Sequence, residues 1–274
     1  MRRFASICLA SVCINFLSCS PNNVTEDQSL KKYFDENKVS GTFGLFDNPS
    51  GQFTIYKLAR FKDSAYLPAS TFKIVNALIA IETGVAKDDS TVIKWNGRPW
   101  TNAACNADLP MYLAFRNSCV PWFQELARRI GKDTMQKEID SLGYGRRYGR
   151  PVIKNIDAFW LDNSIKVTAD EQLGLVKRLY FEQLPFQART QRIVKQMMLM
   201  ENSTNYKLSY KTGLGRRENG NAIGWIIGWI EENRHAYFFA LQVESNDQQA
   251  DIGSVRMKML KDILSHYGFF KGRK

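Results

Sequence analysis

Histidine is the scarcest of the chemically versatile residues in this sequence, with two copies among 274 residues. It is the commonest metal ligand and a frequent general base near neutral pH. His235 lies in a polar segment between two apolar runs, His266 lies near the C-terminal end, and neither stands beside an obvious nucleophile. We therefore predict no metal site, and we expect lysine or carboxylate side chains to transfer protons if the protein is a hydrolase.

Acidic residues are also in short supply, since 27 Asp and Glu residues stand against 38 Lys and Arg residues and the formal net charge is +11. Such an excess suits nucleic acid, an anionic surface or anionic small molecules. The basic residues are spread along the chain, without the aromatic-interleaved pattern of RNA-binding modules or zinc-finger spacing. We predict no nucleic-acid partner. The 44% hydrophobic content excludes a disordered or fibrous chain.

The N-terminal apolar stretch is too short for a membrane span, which needs about 20 apolar residues. It covers residues 4–17, follows two arginines and predicts a secretory signal peptide over residues 1–18. Ser18 and Cys19 resemble the lipobox of bacterial lipoproteins, although Phe16 stands where leucine is usual. Lipidation at Cys19 and simple cleavage both stay open. Either outcome predicts a periplasmic protein whose only membrane attachment would be a lipid at Cys19.

The cysteines do not follow the spacing of a zinc site. Cys8 and Cys13 belong to the predicted signal peptide, and Cys19 would be lipidated or lie at the mature N-terminus. Cys105 and Cys119 remain, and the sequence leaves open whether they form a disulfide in an oxidising compartment or stay two buried thiols.

Strand patterns occur near both ends of the chain. Two β-rich runs over residues 42–47 and 52–57 flank Asn48-Pro49-Ser50-Gly51, a strong hairpin signal. Strand signals return at 221–230 and 236–243. The predicted fold class is α/β (α+β), with an antiparallel sheet that is built from both chain ends and flanked by helices, plus a helical region.

Helical patterns fill residues 68–200 and a last amphipathic helix over 252–266. Thr168 and Glu171 have the spacing of a capping box. Predicted helix ends lie at three glycines, Gly84, Gly131 and Gly143.

Three segments follow along the chain. Residues 1–18 form the signal peptide, residues 19–40 a polar tether and a first short helix around 30–34, and residues 41–274 one folded domain. We expect the functional site in a cleft between the sheet and the helical region.

Ser70 and Lys73 form the most informative pair in the sequence. Pro68 suits a helix start, and the apolar residues that follow predict a helix buried on every side. Residues three apart share a helix face, and free backbone N–H groups in a first helical turn stabilise developing negative charge. Burial lowers the pKa of a lysine, so Lys73 would be a base beside the Ser70 hydroxyl, unless it extends to the surface.

Two further short motifs strengthen this hypothesis. Ser118-Cys119-Val120 lies at a predicted junction between two helices, and Lys211-Thr212-Gly213 stands before the late hairpin. Ser-x-x-Lys, Ser-x-Val and Lys-Thr-Gly in this order are typical of penicillin-recognising serine enzymes. The joint occurrence of all three in order argues against chance.

With these motifs, the chain resembles the class D, or oxacillinase-type, serine β-lactamases over residues 40–268. Phe159-Trp160-Leu161 is similar to the Trp-Leu pair of that family, and residues 224–231 are similar to its strand after Lys-Thr-Gly. Arg256 has the spacing of the arginine that binds the substrate carboxylate. Ser118-Cys119-Val120 differs from the Ser-x-Asn motif that class A enzymes carry at this position.

The resemblance implies a fold shared with penicillin-binding proteins and hydrolysis of β-lactam antibiotics through an acyl-enzyme on Ser70. It implies no metal or other cofactor except CO2, or bicarbonate, which would carboxylate Lys73 to make the general base. The implied environment of that group is Val120, Phe123, Trp160 and Leu161. The Trp160 indole N–H, which can only donate, would hydrogen-bond the carboxylated lysine.

The remaining implied roles concern the substrate. Ser118, oriented by Lys211, would pass a proton to the β-lactam nitrogen, and the backbone N–H groups of Ser70 and Leu214 would form the oxyanion hole. Substrate-binding roles fall to Thr212, Gly213, Leu214 and Arg256.

Two positions depart from the family pattern. The family's Tyr-Gly-Asn is Tyr144-Gly145-Arg146 here, and Lys-Thr-Gly is followed by Leu214-Gly215-Arg216-Arg217. The preferred β-lactam class and the oligomeric state stay open. A penicillin-binding sensor that is acylated but deacylates slowly is an alternative, although such sensors carry several membrane helices. A cell-wall transpeptidase or carboxypeptidase is another alternative, which the Trp160-Leu161 pair disfavours.

Overall fold

The computed structural model describes residues 23–274. The predicted signal peptide and Cys19 lie outside this part of the chain. The helices are α1 (Lys31–Glu36), α2 (Leu58–Asp63), α3 (Lys73–Glu82), α4 (Met111–Arg116), α5 (Val120–Ile130), α6 (Lys132–Leu142), α7 (Ala169–Tyr180), α8 (Ala188–Met197) and α9 (Ile252–His266). Short 3₁₀ turns cover Gln28–Leu30, Ala69–Phe72 and Ala103–Cys105.

The strands supply one large sheet and two short two-stranded ladders. They are β1 (Val24–Glu26), β2 (Ser40–Asp47), β3 (Gln52–Tyr56), β4 (Ala65–Tyr66), β5 (Val92–Ile93), β6 (Leu109–Pro110), β7 (Val167–Thr168), β8 (Leu199–Asn202), β9 (Lys207–Arg216), β10 (Ala222–Glu232) and β11 (His235–Ser245).

The large sheet has the strand order β1-β3-β2-β11-β10-β9-β8, which confirms that both chain ends build it. β2 from the N-terminal part pairs antiparallel with β11 from the C-terminal part, with Leu45 opposite Phe239. The predicted fold class is therefore confirmed. The edge strand β1 is the exception to the antiparallel pattern, because it pairs parallel with β3.

Each face of the sheet covers its own hydrophobic core, because successive strand residues point to opposite faces. On β10, Trp225, Ile227 and Trp229 belong to the core shared with the helical region. Ile226 and Ile230 belong to the second core, which α1 and α9 cover. This strand is buried on both sides, and the site described below lies where the first face meets the helical region.

Several helix ends lie where glycine and capping residues in the sequence predict them. Gly143 has φ +71° and closes α6 with backbone bonds to the last turn, and Gly131 follows the last residue of α5. Thr168 and Glu171 form the predicted capping box of α7. The turn between β10 and β11 is tighter than predicted, because Asn233 and Arg234 both have positive φ and close a two-residue hairpin that leaves His235 in β11.

Three features differ from the sequence-based expectations. Val24–Glu26, within the segment predicted as a tether, forms β1. Leu199–Asn202, at the end of the predicted helical region, forms β8. The short strands β5, β6 and β7 interrupt the region predicted to be mostly helical. Lys211-Thr212-Gly213 lies inside β9, the strand before the β10–β11 hairpin, as predicted. Short edge strands carry little periodicity of their own, since pairing with a neighbour supplies their backbone bonds.

Candidate active site

The Ser70 turn connects β4 to α3. Pro68 precedes the 3₁₀ turn Ala69–Phe72, and the chain continues directly into α3 at Lys73. Ala69 has φ +48°, and its N–H donates to the carbonyl of Trp160 at 3.0 Å. Ser70 keeps 8% of its surface exposed. The serine therefore lies in the turn that opens a buried helix, as the sequence predicts.

Lys73 is fully buried, so it does not extend to the surface. Its Nζ lies 2.6 Å from Oγ of Ser70 and 5.5 Å from the ring centre of Phe123 on α5. It forms no ion pair with any acidic side chain in residues 23–274. Burial lowers the pKa of Lys73 to about 7, because the charged ammonium loses its hydration. A large fraction of the amine is therefore uncharged near neutral pH.

Ser118 lies between α4 and α5 and has φ +56°. Its Oγ accepts a hydrogen bond from Nζ of Lys211 at 3.0 Å, and the same Nζ donates to the carbonyl of Thr212 at 3.1 Å. Burial is the main cause that lowers the pKa of Lys211 well below its usual value, and the charges of Lys73 and Arg256 add to it. The second serine and second lysine of the motifs thus form their own hydrogen-bonded pair.

β9 runs along the Ser70 turn at close range, and Gly213 makes this approach possible. A Cβ at position 213 would lie 2.9 Å from the carbonyl oxygen of Pro68 and 3.2 Å from Cγ2 of Thr71. Glycine is needed here for space, since φ is not positive at this residue. Leu214 follows with 51% of its surface exposed, so its side chain borders open solvent beside the turn.

Arg256 reaches this strand from α9. Its Nη1 donates to the carbonyl of Gly213, and its Nε is buried without a hydrogen-bond partner among residues 23–274. Gly224 of β10 leaves the space for this side chain, since a Cβ there would lie 3.3 Å from Cδ of Arg256. Burial lowers the pKa of Arg256 to about 10, which keeps the guanidinium charged at neutral pH.

Trp160 is completely buried in the wall beside the turn. Its indole stacks on Phe72, with ring centres 5.3 Å apart and 20° between the ring planes, and it meets Phe159 edge-on. The indole Nε1 is buried, and in the described part of the chain no acceptor pairs with it. Buried donors are nearly always paired in native proteins, so this N–H is available to a group that binds in the pocket behind the turn.

The other side chains predicted to surround Lys73 differ in how deeply they are buried. Phe123 is fully buried beside Lys73. Val120 and Leu161 are half-buried, and Leu161 packs against the core that contains Trp160. Arg146, which replaces the family's asparagine, is paired with Asp140 at 3.4 Å. The role of Val120 and Leu161 at the lysine stays a prediction.

Sequence reasoning missed a set of buried polar side chains around the turn. Asn76, one helical turn after Lys73, donates to the carbonyl of Phe123 at 3.1 Å and so ties α3 to α5. Gln172 of α7 donates to Oγ1 of Thr71 at 2.7 Å. The detectable signal was Asn76, a polar amide inside an otherwise apolar helix. Nothing local distinguished Gln172.

The disulfide question is answered in the structure, because Cys105 and Cys119 are bonded to each other. Within residues 23–274, no group of three or more His, Cys, Asp or Glu side chains is arranged to hold a metal ion. The same part of the chain contains no helix with the length and apolarity of a membrane span. The site gathers two serines, two lysines and one arginine, and the charged Arg256 suits an anionic ligand attacked by a serine.

The sequence is similar to a known protein family and to several characterised proteins. The family model of the penicillin binding protein transpeptidase domain matches residues 30–265. The chain is 37% identical to β-lactamase OXA-48 of Klebsiella pneumoniae over 239 residues, which cover 87% of this chain and 88% of that protein. It is 33% identical to β-lactamase OXA-10 of Pseudomonas aeruginosa over 250 residues, with 90% and 92% covered.

Similar solved structures identify the class of β-lactamase. The class D β-lactamase FUS-1 (OXA-85) of Fusobacterium nucleatum superposes with a TM-score of 0.83 at 30% identity, covering 90% of this chain and all of that one. This chain belongs to the class D β-lactamases. The class D enzyme YbXI of Nostoc, at 35% identity and a TM-score of 0.79, covers 87% of this chain and 98% of that one. The family resemblance read from the motifs is thus confirmed, and the protein is a hydrolase of β-lactams.

Proposed function

We propose that this β-lactamase opens the β-lactam ring with Ser70 as nucleophile and then hydrolyses the acyl-enzyme. In acylation, Oγ of Ser70 bonds to the lactam carbonyl carbon and the carbon–nitrogen bond breaks. In deacylation, a water molecule takes the place of Oγ on the acyl carbon. The observation that carries the proposal is the 2.6 Å contact between Oγ of Ser70 and Nζ of a fully buried Lys73, because a serine nucleophile needs an adjacent base.

Lys73 is suited to react with CO2, because only an uncharged amine can do so and its pKa is lowered to about 7. The residues present fit the product, since the Trp160 N–H lacks a partner and Lys73 has no ion pair with an acidic side chain in the described chain. When bound, CO2 converts the lysine into a carboxylate-bearing general base. Trp160 would hold that group by donating its N–H, and Val120, Phe123 and Leu161 would exclude water from it.

Ser118 and Lys211 are placed to handle the proton of the leaving group. The β-lactam nitrogen must gain a proton as its bond to carbon breaks. Oγ of Ser118 can give its proton to that nitrogen, while Nζ of Lys211, 3.0 Å away, stabilises the oxygen left behind. The positive φ of Ser118 is costly for a residue other than glycine, which supports a functional reason for this backbone conformation.

Substrate binding would use the strand beside the Ser70 turn. Backbone N–H groups of Ser70 and Leu214 would stabilise the oxyanion, and the close approach of β9 to the turn at Gly213 supports this pairing. Thr212 and Arg256 would bind the substrate carboxylate. Arg256 already contacts the strand through the Gly213 carbonyl and retains an unpaired buried N–H.

The proposed location is the periplasm, with residues 1–18 removed as a signal peptide and with a lipid at Cys19 as the candidate membrane anchor. The N-terminal sequence pattern supports export. The disulfide between Cys105 and Cys119 fits an oxidising compartment, in which such bonds persist.

Turnover separates this proposal from a sensor that is acylated and stays so. The purified protein is expected to hydrolyse many equivalents of a chromogenic cephalosporin per chain, at a rate that rises when bicarbonate is added. Lys73→Ala is expected to lose turnover, and Ser70→Ala should show no acylation by mass spectrometry. A single stoichiometric burst by the parent protein in saturating bicarbonate would refute hydrolysis as its function.

A further inference from the structure

The turn that carries Ser118 is anchored on both sides of the serine to one exposed segment. Asn117 ends α4 and Cys119 precedes α5. The Asn102 side-chain amide donates to the carbonyl of Asn117 at 3.0 Å, and Cys105 forms the disulfide with Cys119. The two residues that flank Ser118 are therefore both tied to residues 102–105.

Ser118 needs such support because its backbone is strained. A serine at φ +56° occupies the left-handed region, which non-glycine residues adopt at a cost that the surroundings must offset. The hydrogen bond from Lys211 holds the hydroxyl from the side of the sheet. Residues 102–105 hold the backbone on either side of Ser118, through Asn117 and Cys119. These residues have no role in the chemistry proposed above.

The anchoring segment is itself ordered by the same residues. Oδ1 of Asn102 accepts from the N–H of Ala104 at 3.2 Å, which caps the 3₁₀ turn Ala103–Cys105. One side chain thus both shapes this turn and donates to Asn117. Residues 96–104 are exposed, whereas Cys105 is buried, so the disulfide joins the buried end of a surface loop to the serine turn.

We propose that Asn102 and the Cys105–Cys119 disulfide form a clamp that positions Ser118 for proton transfer, an inference that rests on the relay role proposed above. With the clamp broken, the strained turn relaxes and the Ser118 hydroxyl leaves its 3.0 Å contact with Lys211. Acylation then slows, because it needs the proton at the lactam nitrogen. Carboxylation of Lys73 changes less than acylation, because Lys73 and Trp160 belong to other segments and, of the proposed carboxylation pocket, only Val120 and Phe123 follow Cys119 in α5.

The disulfide can be opened without mutation. Cys119 is 1% exposed, but Cys105 lines a cavity of about 430 Å³ together with Trp95 and Trp100, so a small dithiol approaches from that side. Dithiothreitol would supply two electrons and two protons, becoming a cyclic disulfide while Cys105 and Cys119 become two thiols. Thiol titration reports the reaction as two additional thiols per chain.

Four samples test the clamp by stopped-flow acylation with a chromogenic cephalosporin in saturating bicarbonate: the oxidised parent, the reduced parent, Cys105→Ala and Asn102→Ala. We expect the acylation rate constant to fall about tenfold to a hundredfold in the reduced parent and in Cys105→Ala, as misplacement of a reacting group predicts. The acylation rate constant of Asn102→Ala is expected to fall by a smaller factor, because this variant keeps the disulfide. The bicarbonate concentration for half-maximal activity should change by a smaller factor than the acylation rate constant in the reduced parent and in Cys105→Ala.

Loss of stability alone is controlled by Asp27→Ala, which removes contacts to Ser29 and Tyr267 far from the site. At a temperature below all the melting transitions, this variant should acylate at the parent rate. Equal acylation rates in the oxidised and reduced parent, with the two new thiols titrated, would refute the clamp. An oxidised parent without any turnover would instead refute the proposed function.

Discussion

Nζ of Lys211 lies 3.0 Å from Oγ of Ser118 and joins β9 of the sheet to the junction between α4 and α5. The two residues are 93 positions apart in the sequence. Because Lys211 is buried, water is largely excluded from this contact, which strengthens the hydrogen bond. This hydrogen bond ties the sheet to the helical region.

Lys211→Ala should lower kcat/KM by about 10²-fold to 10⁴-fold, the range for loss of a positioned proton-transfer group. The variant leaves the Ser118 hydroxyl without its donor. Steady-state hydrolysis of a chromogenic cephalosporin measures the effect. Lys207→Ala, at the exposed start of the same strand, is the matched control and should keep parent kinetics. Retention of full activity by Lys211→Ala would contradict the proposed relay.

The bicarbonate requirement should depend on pH around the lowered pKa of Lys73, which is about 7. Above this pH the amine is mostly uncharged and can react with CO2, and below it the ammonium predominates. We expect the CO2 concentration for half-maximal activity to rise roughly tenfold for each pH unit below 7. Activation curves at several pH values, expressed in dissolved CO2, check this. Curves that coincide from pH 6 to pH 8 would be inconsistent with an uncharged-amine step.

Lys73→Met should stabilise the protein while it abolishes turnover. Between pH 7 and pH 10.5 the Lys73 amine is protonated in the unfolded state but largely uncharged in the folded state. Burial of this lysine therefore lowers the free energy of unfolding, and the loss grows as the pH falls through this window. At pH 7 in CO2-free buffer, we expect the unfolding free energy to rise by about 2–4 kcal/mol, allowing for relaxation around the lysine. Urea unfolding at pH 7 and pH 10 measures it. The gain should shrink at pH 10, and a loss at both pH values would contradict the assigned burial cost.

Trp160→Phe should raise the bicarbonate concentration for half-maximal activity by about tenfold, since a hydrogen bond to a charged group contributes roughly 1.5–3 kcal/mol. The substitution removes the unpaired N–H and keeps an aromatic ring against Phe72. Trp229→Phe is the control, because the Trp229 N–H already donates to Glu231. Activation curves that match the parent would remove Trp160 from the proposed site.

Arg256→Ala should raise KM for carboxylate-bearing β-lactams by at least tenfold, the loss expected for a hydrogen bond to a charged group. The same variant should differ little from the parent on the methyl ester of the same β-lactam, which lacks the anion. Lys258→Ala on α9, whose side chain is paired with Asp262, controls for the helix surface. If the acid and its ester were affected equally, Arg256 would act on the fold of β9 and not on the carboxylate.

The features that could be predicted from sequence are those decided within a few residues. Ser70 and Lys73 meet because they are three apart in a turn that leads into a helix. The capping box at Thr168 and Glu171 is equally local. In contrast, β1 was missed because it is defined by its pairing with β3, about 30 residues further along the chain. β8 was missed because it is a short edge strand of four residues that pairs, within residues 23–274, only with β9. The sequence also could not decide whether Cys105 and Cys119 form a disulfide, since spacing alone does not show which thiols approach each other.

The sequence by itself determined the nucleophile turn, the order of the three motifs and the use of both chain ends in one sheet, because local periodicity and short spacing encode them. Packing of the complete domain decided that Lys211 reaches Ser118 and that Gly213 lets β9 lie against the Ser70 turn. It also left the buried N–H of Trp160 without an acceptor among residues 23–274. These relationships depend on how the complete sheet and the helical region pack together, and that packing is the sum of many contacts between residues far apart in the chain.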